Sequence, residues 1–176
     1  FSGGLRGYRY TCTASCTGNL AEWTPALPAD YFSNAEVRMG TDVIIINRAS
    51  DLGTRLVGNM GTDNGNIQIL NTAEIEAEIQ AEDILILSDC SNADIFRATN
   101  KSAAGTTVTI AHAADVNNSP KLSKAYEDDA RLWKLVSRAY YVSTNPTTNE
   151  PGLYYKELQS LGALSAGQEL TGGVET

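Results

Sequence analysis

The sequence predicts a mainly β fold, an antiparallel sheet with irregular loops, on three observations. Short runs of β-branched and aliphatic residues recur along the chain, each bounded by turn-forming residues, as the strands of a sheet require. The 15 glycines, together with many serines, threonines and asparagines, mark the loops between those runs. Further along, two tyrosine-rich runs flank a loop that contains two prolines, which is typical of a hairpin.

The 176 residues are enough for one domain with a buried core, since most domains contain about 100 to 150 residues. We therefore predict a single globular domain over residues 1–176. Within it we expect an irregular, aromatic segment at 1–39 that wraps over the core, a β-rich core at 40–158, and a tail at 159–176. The tail is small and polar and carries little core-forming material.

Charge excludes several classes of partner. The chain carries 13 basic and 21 acidic residues, a net charge of −8, which opposes non-specific binding to nucleic acid or to anionic lipid.

The sequence has no run of about 18 apolar residues, and its first residues lack the regions of a signal peptide. The first residue is Phe1 rather than methionine. We therefore expect that a preceding segment was removed. That segment would hold the targeting signal and the membrane anchor.

The first half of the predicted core contains two strands and one ambiguous segment. Residues 42–49 form a β-branched apolar run, typical of a central strand buried on both faces. The turn signature of residues 63–65, Asp-Asn-Gly, joins two strands, of which 66–70 is the second. In residues 73–81, glutamates alternate with apolar residues as in a strand, yet Ile75 and Ile79 have helical spacing. A short helix and a strand edge both stay open there.

The middle of the chain continues with apolar runs. Residues 84–88 predict a second buried strand, and 93–98 a third strand after a turn that contains a cysteine. Residues 106–112 alternate apolar and polar side chains after a glycine, which predicts a hairpin partner. A polar loop follows at 115–123, and 128–134 is predicted to form a helical turn that leads into the next strand.

The last predicted hairpin pairs residues 136–143 with 152–158. The tyrosines 140, 141, 154 and 155 then face each other across it and could stack a ligand. The more usual arrangement has one tyrosine of each pair packing inward while the other covers the surface of the sheet. We expect the second arrangement.

Three cysteines, Cys12, Cys16 and Cys90, permit one disulfide and one remaining thiol, and the pairing stays open. A CxxxC spacing is not a zinc half-site, and no second Cys or His pair accompanies it. One disulfide in an exported protein is favoured over three reduced, partly buried thiols. The neighbouring Asp89 disfavours a reactive thiolate at Cys90, so a bridge is the favoured role for that residue too.

No catalytic residue, cofactor site or metal site is predicted, and we expect that the protein is not an enzyme. His112 is the sole histidine, but no nucleophile motif accompanies it, so a structural role is favoured. Asp128 and Asp129, beside Glu127, are adjacent rather than alternating, which is typical of a solvated surface and not of calcium or catalytic carboxylates. Residues 63–66 predict a plain turn, and the glycines from 53 to 65 match no phosphate-binding motif.

Several segments together resemble the PilW family of type IV pilus minor pilins. They are GTDVIII at 40–46, ILILSDCSNADIF at 84–96, AYYV at 139–142 with GLYY at 152–155, and LTGGVE at 170–175. The most specific part is SDCSNADIF at 88–96, and the resemblance covers most of the chain from about residue 40. The segment GLRGY at 4–8, followed by Cys12, is a weaker match.

The resemblance implies a pilin-like head of a precursor in the bacterial inner membrane, which reaches the cell surface in an extracellular pilus. In that family a long apolar N-terminal helix precedes the head, so the whole protein would be α+β; this helix is absent here. The family continues past residue 175 with a further strand, so the tail is expected to be truncated or disordered. The implied role is a structural subunit that primes pilus assembly at the tip. Its implied partners are other minor pilins and the major pilin, in some cases with a tip adhesin.

Partner contacts are expected from the exposed loop of the hairpin and from the segment between Cys12 and Trp23. The candidate residues are Trp23, Asn145, Pro146, Asn149 and Pro151. Two alternatives stay open: a minor pseudopilin of a type II secretion system, and a secreted carbohydrate-binding or adhesive module. The tyrosine pairs and the two tryptophans support the second alternative.

Overall fold

The computed structural model describes residues 4–159 and 163–172, and it confirms the mainly antiparallel β fold. The strands are β1 Leu5–Tyr10, β2 Trp23–Thr24, β3 Val43–Arg55, β4 Ile67–Leu70, β5 Ile84–Ser88, β6 Ala93–Arg97, β7 Asn100–Ala104, β8 Thr107–Ala111, β9 Arg131–Thr144, β10 Pro151–Glu157 and β11 Gln168–Gly172. One α-helix, α1, spans Ala73–Glu78, and one 3₁₀ turn spans Leu20–Glu22. Among these residues, no helix is both long enough and apolar enough to cross a membrane.

The chain forms two compact units, and β3 and β9 contribute residues to both. Unit 1 contains Phe1–Arg48, Ser137–Leu158 and Leu164–Thr176; unit 2 contains Ala49–Val136 with Gln159–Ala163. The prediction of one domain over residues 1–176 stays a prediction.

Unit 1 is built on a sheet with the strand order β11, β10, β9, β3, β1, β2. One face of this sheet packs on the segment between β2 and β3, which supplies Leu27, Phe32 and Val37 to the core. The sheet contributes Tyr8, Val43, Ile45, Ala139, Tyr141 and Tyr154 to the same core, and Trp23 completes it. The core therefore lies on one side of the sheet.

Unit 2 contains β5 and β6, which belong to the eight-stranded sheet, and a separate three-stranded sheet. β5 pairs with both β6 and β9, and the order in the three-stranded sheet is β4, β8, β7. Alternate residues of these strands, among them Leu85, Leu87, Ile67, Ile69 and Ile110, are fully buried in a shared apolar core. The pattern has a period of two, as in strands with one buried face.

The structure decides between the two alternatives left open for residues 73–81. Residues 73–78 are helical, with the Thr72 hydroxyl accepting from Ile75 N as an N-cap. Two hairpin predictions are confirmed. β7 and β8 form a hairpin at Gly105, whose φ of +58° suits glycine. β9 and β10 pair from Thr144 opposite Pro151 to Arg138 opposite Glu157, as the hairpin prediction requires.

Four local predictions are wrong. The segment 1–39 contains β1 and β2, the predicted helical turn at 128–134 becomes strand from Arg131, and the tail contains β11. The strand at 42–49 was predicted to be buried on both faces, yet Ile44 is 38% exposed. β1 and β11 are weakly apolar segments that pair with stronger strands, β3 and β10. Their structure is decided by the partner strand rather than by their own pattern.

Candidate functional site

One face of the unit 1 sheet is apolar and uncovered by the described residues. In β3, Val43 and Ile45 point into the core, so Ile44 and Ile46 lie on the opposite side. The register of β1 places Leu5 opposite Ile46 and Gly7 opposite Ile44 on that same side. Leu5 is 63% exposed and Ile44 is 38% exposed. Exposed aliphatic residues of this size, next to one another on a sheet, are unusual on a monomer.

The hairpin of β9 and β10 extends this face. Tyr141 and Tyr154 are paired and buried, whereas Tyr140 pairs with Tyr155 on the outside with ring centroids 6.2 Å apart. The predicted division of the two tyrosine pairs is thereby confirmed. Val142 and Leu153 form the next outward pair. We call the following residues the outer face of unit 1: Leu5, Gly7, Ile44, Ile46, Tyr140, Val142, Leu153 and Tyr155.

A groove of about 420 Å³ crosses the outer face of unit 1. Gly7, Ile44, Val142 and Leu153 line it, and Arg9 lies at its rim. A Cβ atom added to Gly7 would meet no atom within 4 Å, so the groove is open above this glycine. The lining is mostly aliphatic and aromatic, which suits an apolar partner surface rather than catalysis of a reaction.

The buried side of the same sheet is fixed by a polar cluster. Glu36 forms an ion pair with Lys156 and accepts a hydrogen bond from Tyr141 Oη at 3.2 Å. Burial raises the pKa of Glu36, but hydrogen bonds from Lys156 and from Ser33 outweigh it, so the pKa of this carboxyl is lowered. Burial beside this carboxylate raises the pKa of Tyr141 well above its usual value. The cluster attaches residues 33–36 to β9 and β10.

Cys12 and Cys16 form a disulfide, and Glu22 organises the loop that they close. The carboxylate of Glu22 accepts hydrogen bonds from Thr17 N at 2.7 Å and from Gly18 N at 3.1 Å. The Thr17 amide and the other donors lower the pKa of Glu22 to about 2. The two sulfurs and this carboxylate lie within 4.8 Å of one another. The two sulfurs are bonded to each other, and the carboxylate already accepts several hydrogen bonds. The cluster therefore stabilises the conformation of this segment.

Trp23 is 2% exposed, and its indole donates to Thr41 O at 2.9 Å. The prediction that Trp23 contacts a partner is therefore wrong, because its side chain belongs to the core of unit 1. A tryptophan in a turn-rich segment gives no local signal of burial.

The hairpin loop at 145–151 is largely exposed. Asn145 Oδ1 accepts from Thr147 N at 2.8 Å and from Thr148 N at 3.2 Å, which fixes the loop from within. Pro146 and Asn149 are exposed, and Pro151 begins β10. A partner contact by these residues stays a prediction.

Cys90 is a free, exposed thiol in the turn between β5 and β6, so the prediction that it forms a bridge is wrong. Its neighbour Asp89 is buried against Lys124, with 2.5 Å between carboxylate oxygen and ammonium nitrogen. The hydrogen bond from Lys124 holds the pKa of Asp89 well below its usual range. Sequence cannot separate three cysteine pairings, because the choice depends on distances that only folding sets.

The remaining candidates do not assemble into a site. His112 is buried, with Nε2 2.9 Å from Gly65 O and its ring on Phe96. Asp63 pairs with Lys121 at 3.1 Å. Asp128 and Asp129 are exposed, and the backbone N–H of Asp128 donates to Asn59. These placements agree with structural roles.

Sequence reasoning missed the outer face of unit 1. The signal was present in β1, where Leu5 and Gly7 lie on one side of the strand and Tyr8 and Tyr10 lie on the other, more buried side. The pattern was hard to recognise because a glycine and arginines interrupt the apolar residues of this strand.

No protein-family model, no curated protein and no solved structure matches the chain.

Proposed function

We propose that this chain is the head of a minor pilin, a structural subunit that helps to prime type IV pilus assembly in a complex with other minor pilins at the pilus tip. The uncovered outer face of unit 1 is the observation that carries the proposal. The resemblance of residues 40–175 to the PilW family supports it from the sequence.

An assembly subunit needs a surface that gains free energy when a neighbour covers it. Burial of apolar area contributes about 25 cal/mol per Å², and Leu5, Ile44 and the groove above Gly7 offer such area. A sheet with one face on a core and the other apolar is stable when a further layer packs on it. An apolar helix of a neighbouring subunit would supply this layer.

The geometry of the groove favours a helix over a small ligand. The groove runs across neighbouring strands and is lined by aliphatic side chains around the Cβ-free position of Gly7. Glycine lets a partner backbone approach the sheet closely. The few polar groups at the rim, such as those of Arg9 and Asp42, do not converge on one point as a small-molecule site requires.

The proposal is tested with Gly7→Lys in the full-length protein in its own bacterium. The new side chain enters open space, so the fold is retained, but an ammonium group is placed in the middle of the apolar groove. The matched control is Gly61→Lys in unit 2, where an added Cβ also meets nothing within 4 Å.

The readouts are co-purification with the other minor pilins and the number of pili per cell. We expect both to fall by about tenfold or more in Gly7→Lys and to stay at the wild-type level in Gly61→Lys. A tenfold loss of affinity for the partner corresponds to about 1.4 kcal/mol. Melting curves must show that both variants fold. Normal co-purification and piliation by a folded Gly7→Lys protein would contradict the proposal.

A further inference from the structure

Unit 2 presents a second exposed sheet face, on β5, β6 and β9. Ile86 lies opposite Ile95 on one neighbouring strand and opposite Trp133 on the other, so these three side chains form one row. The residues next to them, Leu85, Leu87 and Leu132, are fully buried on the other side. Ile95 is 44% exposed, and Ile86 and Trp133 are partly exposed.

A glycine sets the position of Trp133. A Cβ at Gly53 in β3 would lie 2.0 Å from Trp133 Nε1 and 2.5 Å from Cδ1, so the indole occupies the space that a side chain would fill. Among the described residues, the indole N–H of Trp133 has no hydrogen-bond partner. The indole is thus held on the sheet with a donor that remains available.

Three arginines surround the row. Arg97 lies beside Ile84, and Arg131 lies beside Ser88, both on the side of the sheet that carries the row. Arg55 is two residues after Gly53 in β3 and, by the alternation of side chains, faces the same side. In the part of the chain that the structure describes, none of these three guanidinium groups has an ion pair or a hydrogen bond.

The charges of unit 2 make this arrangement selective. Residues 49–136 contain 13 acidic and 7 basic residues. The four lysines are engaged: Lys121, Lys124 and Lys134 pair with carboxylates, and Lys101 donates to Glu76 O. Asp51, on the same side of β3, has its own partner. The unpaired positive charge of this acidic unit is therefore gathered around the apolar row.

We propose that the face formed by Ile86, Ile95 and Trp133 with Arg55, Arg97 and Arg131 binds an acidic amphipathic segment of a partner protein. Its carboxylates pair with the guanidinium groups, which bind carboxylates in a bidentate manner. Its apolar side chains cover the row, which crosses three strands and is about 10 Å long at about 4.8 Å per strand. This face is distinct from the outer face of unit 1, so the inference does not depend on the proposed function.

The composition of the row favours a protein segment over a polysaccharide or a nucleic acid. Sugar rings and bases gain most from stacking on aromatic side chains, and here a single aromatic ring stands beside two isoleucines. Aliphatic side chains instead match the leucine, isoleucine or valine residues of an amphipathic helix.

The test uses the whole chain and two synthetic helical peptides of about 18 residues. Both carry leucine at i, i+3, i+4 and i+7 positions; one has glutamate and the other lysine at the remaining positions. Binding is followed by calorimetry and by tryptophan fluorescence, which reports Trp133 because Trp23 is buried. A uronic acid polymer and a single-stranded oligonucleotide serve as competing probes.

The variant is Arg55→Gln/Arg97→Gln/Arg131→Gln, and the control is Arg38→Gln, a partly exposed arginine of unit 1 without a side-chain partner among the described residues. We expect the glutamate peptide to bind with a change in fluorescence and the triple variant to weaken binding by about tenfold or more, with Arg38→Gln unchanged. The acidic surface attracts the lysine peptide wherever it binds, so its binding should not weaken in the triple variant. Because the substituted side chains have no partners, both variants should melt as the wild type does.

Three results would overturn the inference. One is that the glutamate peptide fails to bind the wild-type chain. Another is that it binds the triple variant as tightly as the wild type. The last is that only the uronic acid polymer or the oligonucleotide binds, with loss of that binding in the triple variant, which would assign the face to a different class of ligand.

Discussion

At the scale of single residues, Glu22 has the clearest measurable role. One carboxylate accepts the amide hydrogens of Thr17 and Gly18 and the hydroxyl of Tyr10, at the end of the loop that Cys12 and Cys16 close. Hydrogen bonds to the charged form stabilise it relative to the acid. The conformation of this loop is therefore linked to the ionisation of Glu22.

We predict that Glu22→Gln lowers stability at neutral pH and that this difference shrinks in acid. The pKa of Glu22 is lowered from 4.5 to about 2 by the Thr17 amide and the other donors. A lowered pKa gives stability that is present above pH 4.5 and is lost as the pH falls through about 2. Urea unfolding of both proteins between pH 6 and 2 measures the difference, with Glu150→Gln as an exposed control. A difference that is constant across this range would refute the linkage.

At the scale of elements, β6 shows how a sheet edge is closed by side chains. Asn117 accepts from Arg97 N at 2.8 Å and donates to Arg97 O at 2.9 Å, as a neighbouring strand would. Asp94 accepts from Ser123 N at 2.9 Å and from Tyr126 Oη at 2.7 Å. Exposed edges favour pairing with other chains, and the loop after β8 prevents it here.

We predict that Asn117→Ala lowers the free energy of unfolding by about 1 to 3 kcal/mol, since it removes hydrogen bonds of about 1 kcal/mol each. The Arg97 amide should also exchange its hydrogen faster, because it loses its acceptor. Hydrogen exchange and thermal melting measure both effects. Asn118→Ala is the control, since Asn118 is exposed and has no partner among the described residues. Equal exchange of Arg97 in both variants would contradict this role for Asn117.

At the scale of the whole molecule, acidity sets which partners can associate. The net charge is −8, and the excess of acidic residues is largest in residues 49–136. Proteins that bind nucleic acid non-specifically do so through basic surfaces, with dissociation constants of about 10⁻⁴ to 10⁻⁶ M. Electrostatic attraction therefore favours partners with basic surfaces. The exception is the face of unit 2 that carries Arg55, Arg97 and Arg131, where acidic groups are attracted.

We therefore predict no binding to mixed-sequence duplex DNA at about 150 mM salt, because its phosphates would be repelled by the acidic surface. Gel-shift titration up to about 10 µM protein checks this, with a basic protein of similar size as the positive control. A shift of the duplex in that range, abolished by higher salt, would show that local charge outweighs net charge in this molecule.

The sequence alone determined the mainly β class, the strands β5, β6 and β8, the hairpin of β9 and β10, and the inward and outward tyrosines of that hairpin. These features depend on periodicity and turn chemistry, which are local. The tertiary structure decided the strands β1 and β11, the pairing of Cys12 with Cys16, the burial of Trp23, and the arginines around Trp133. Each of these depends on contacts between distant residues, whose free energies no local pattern contains.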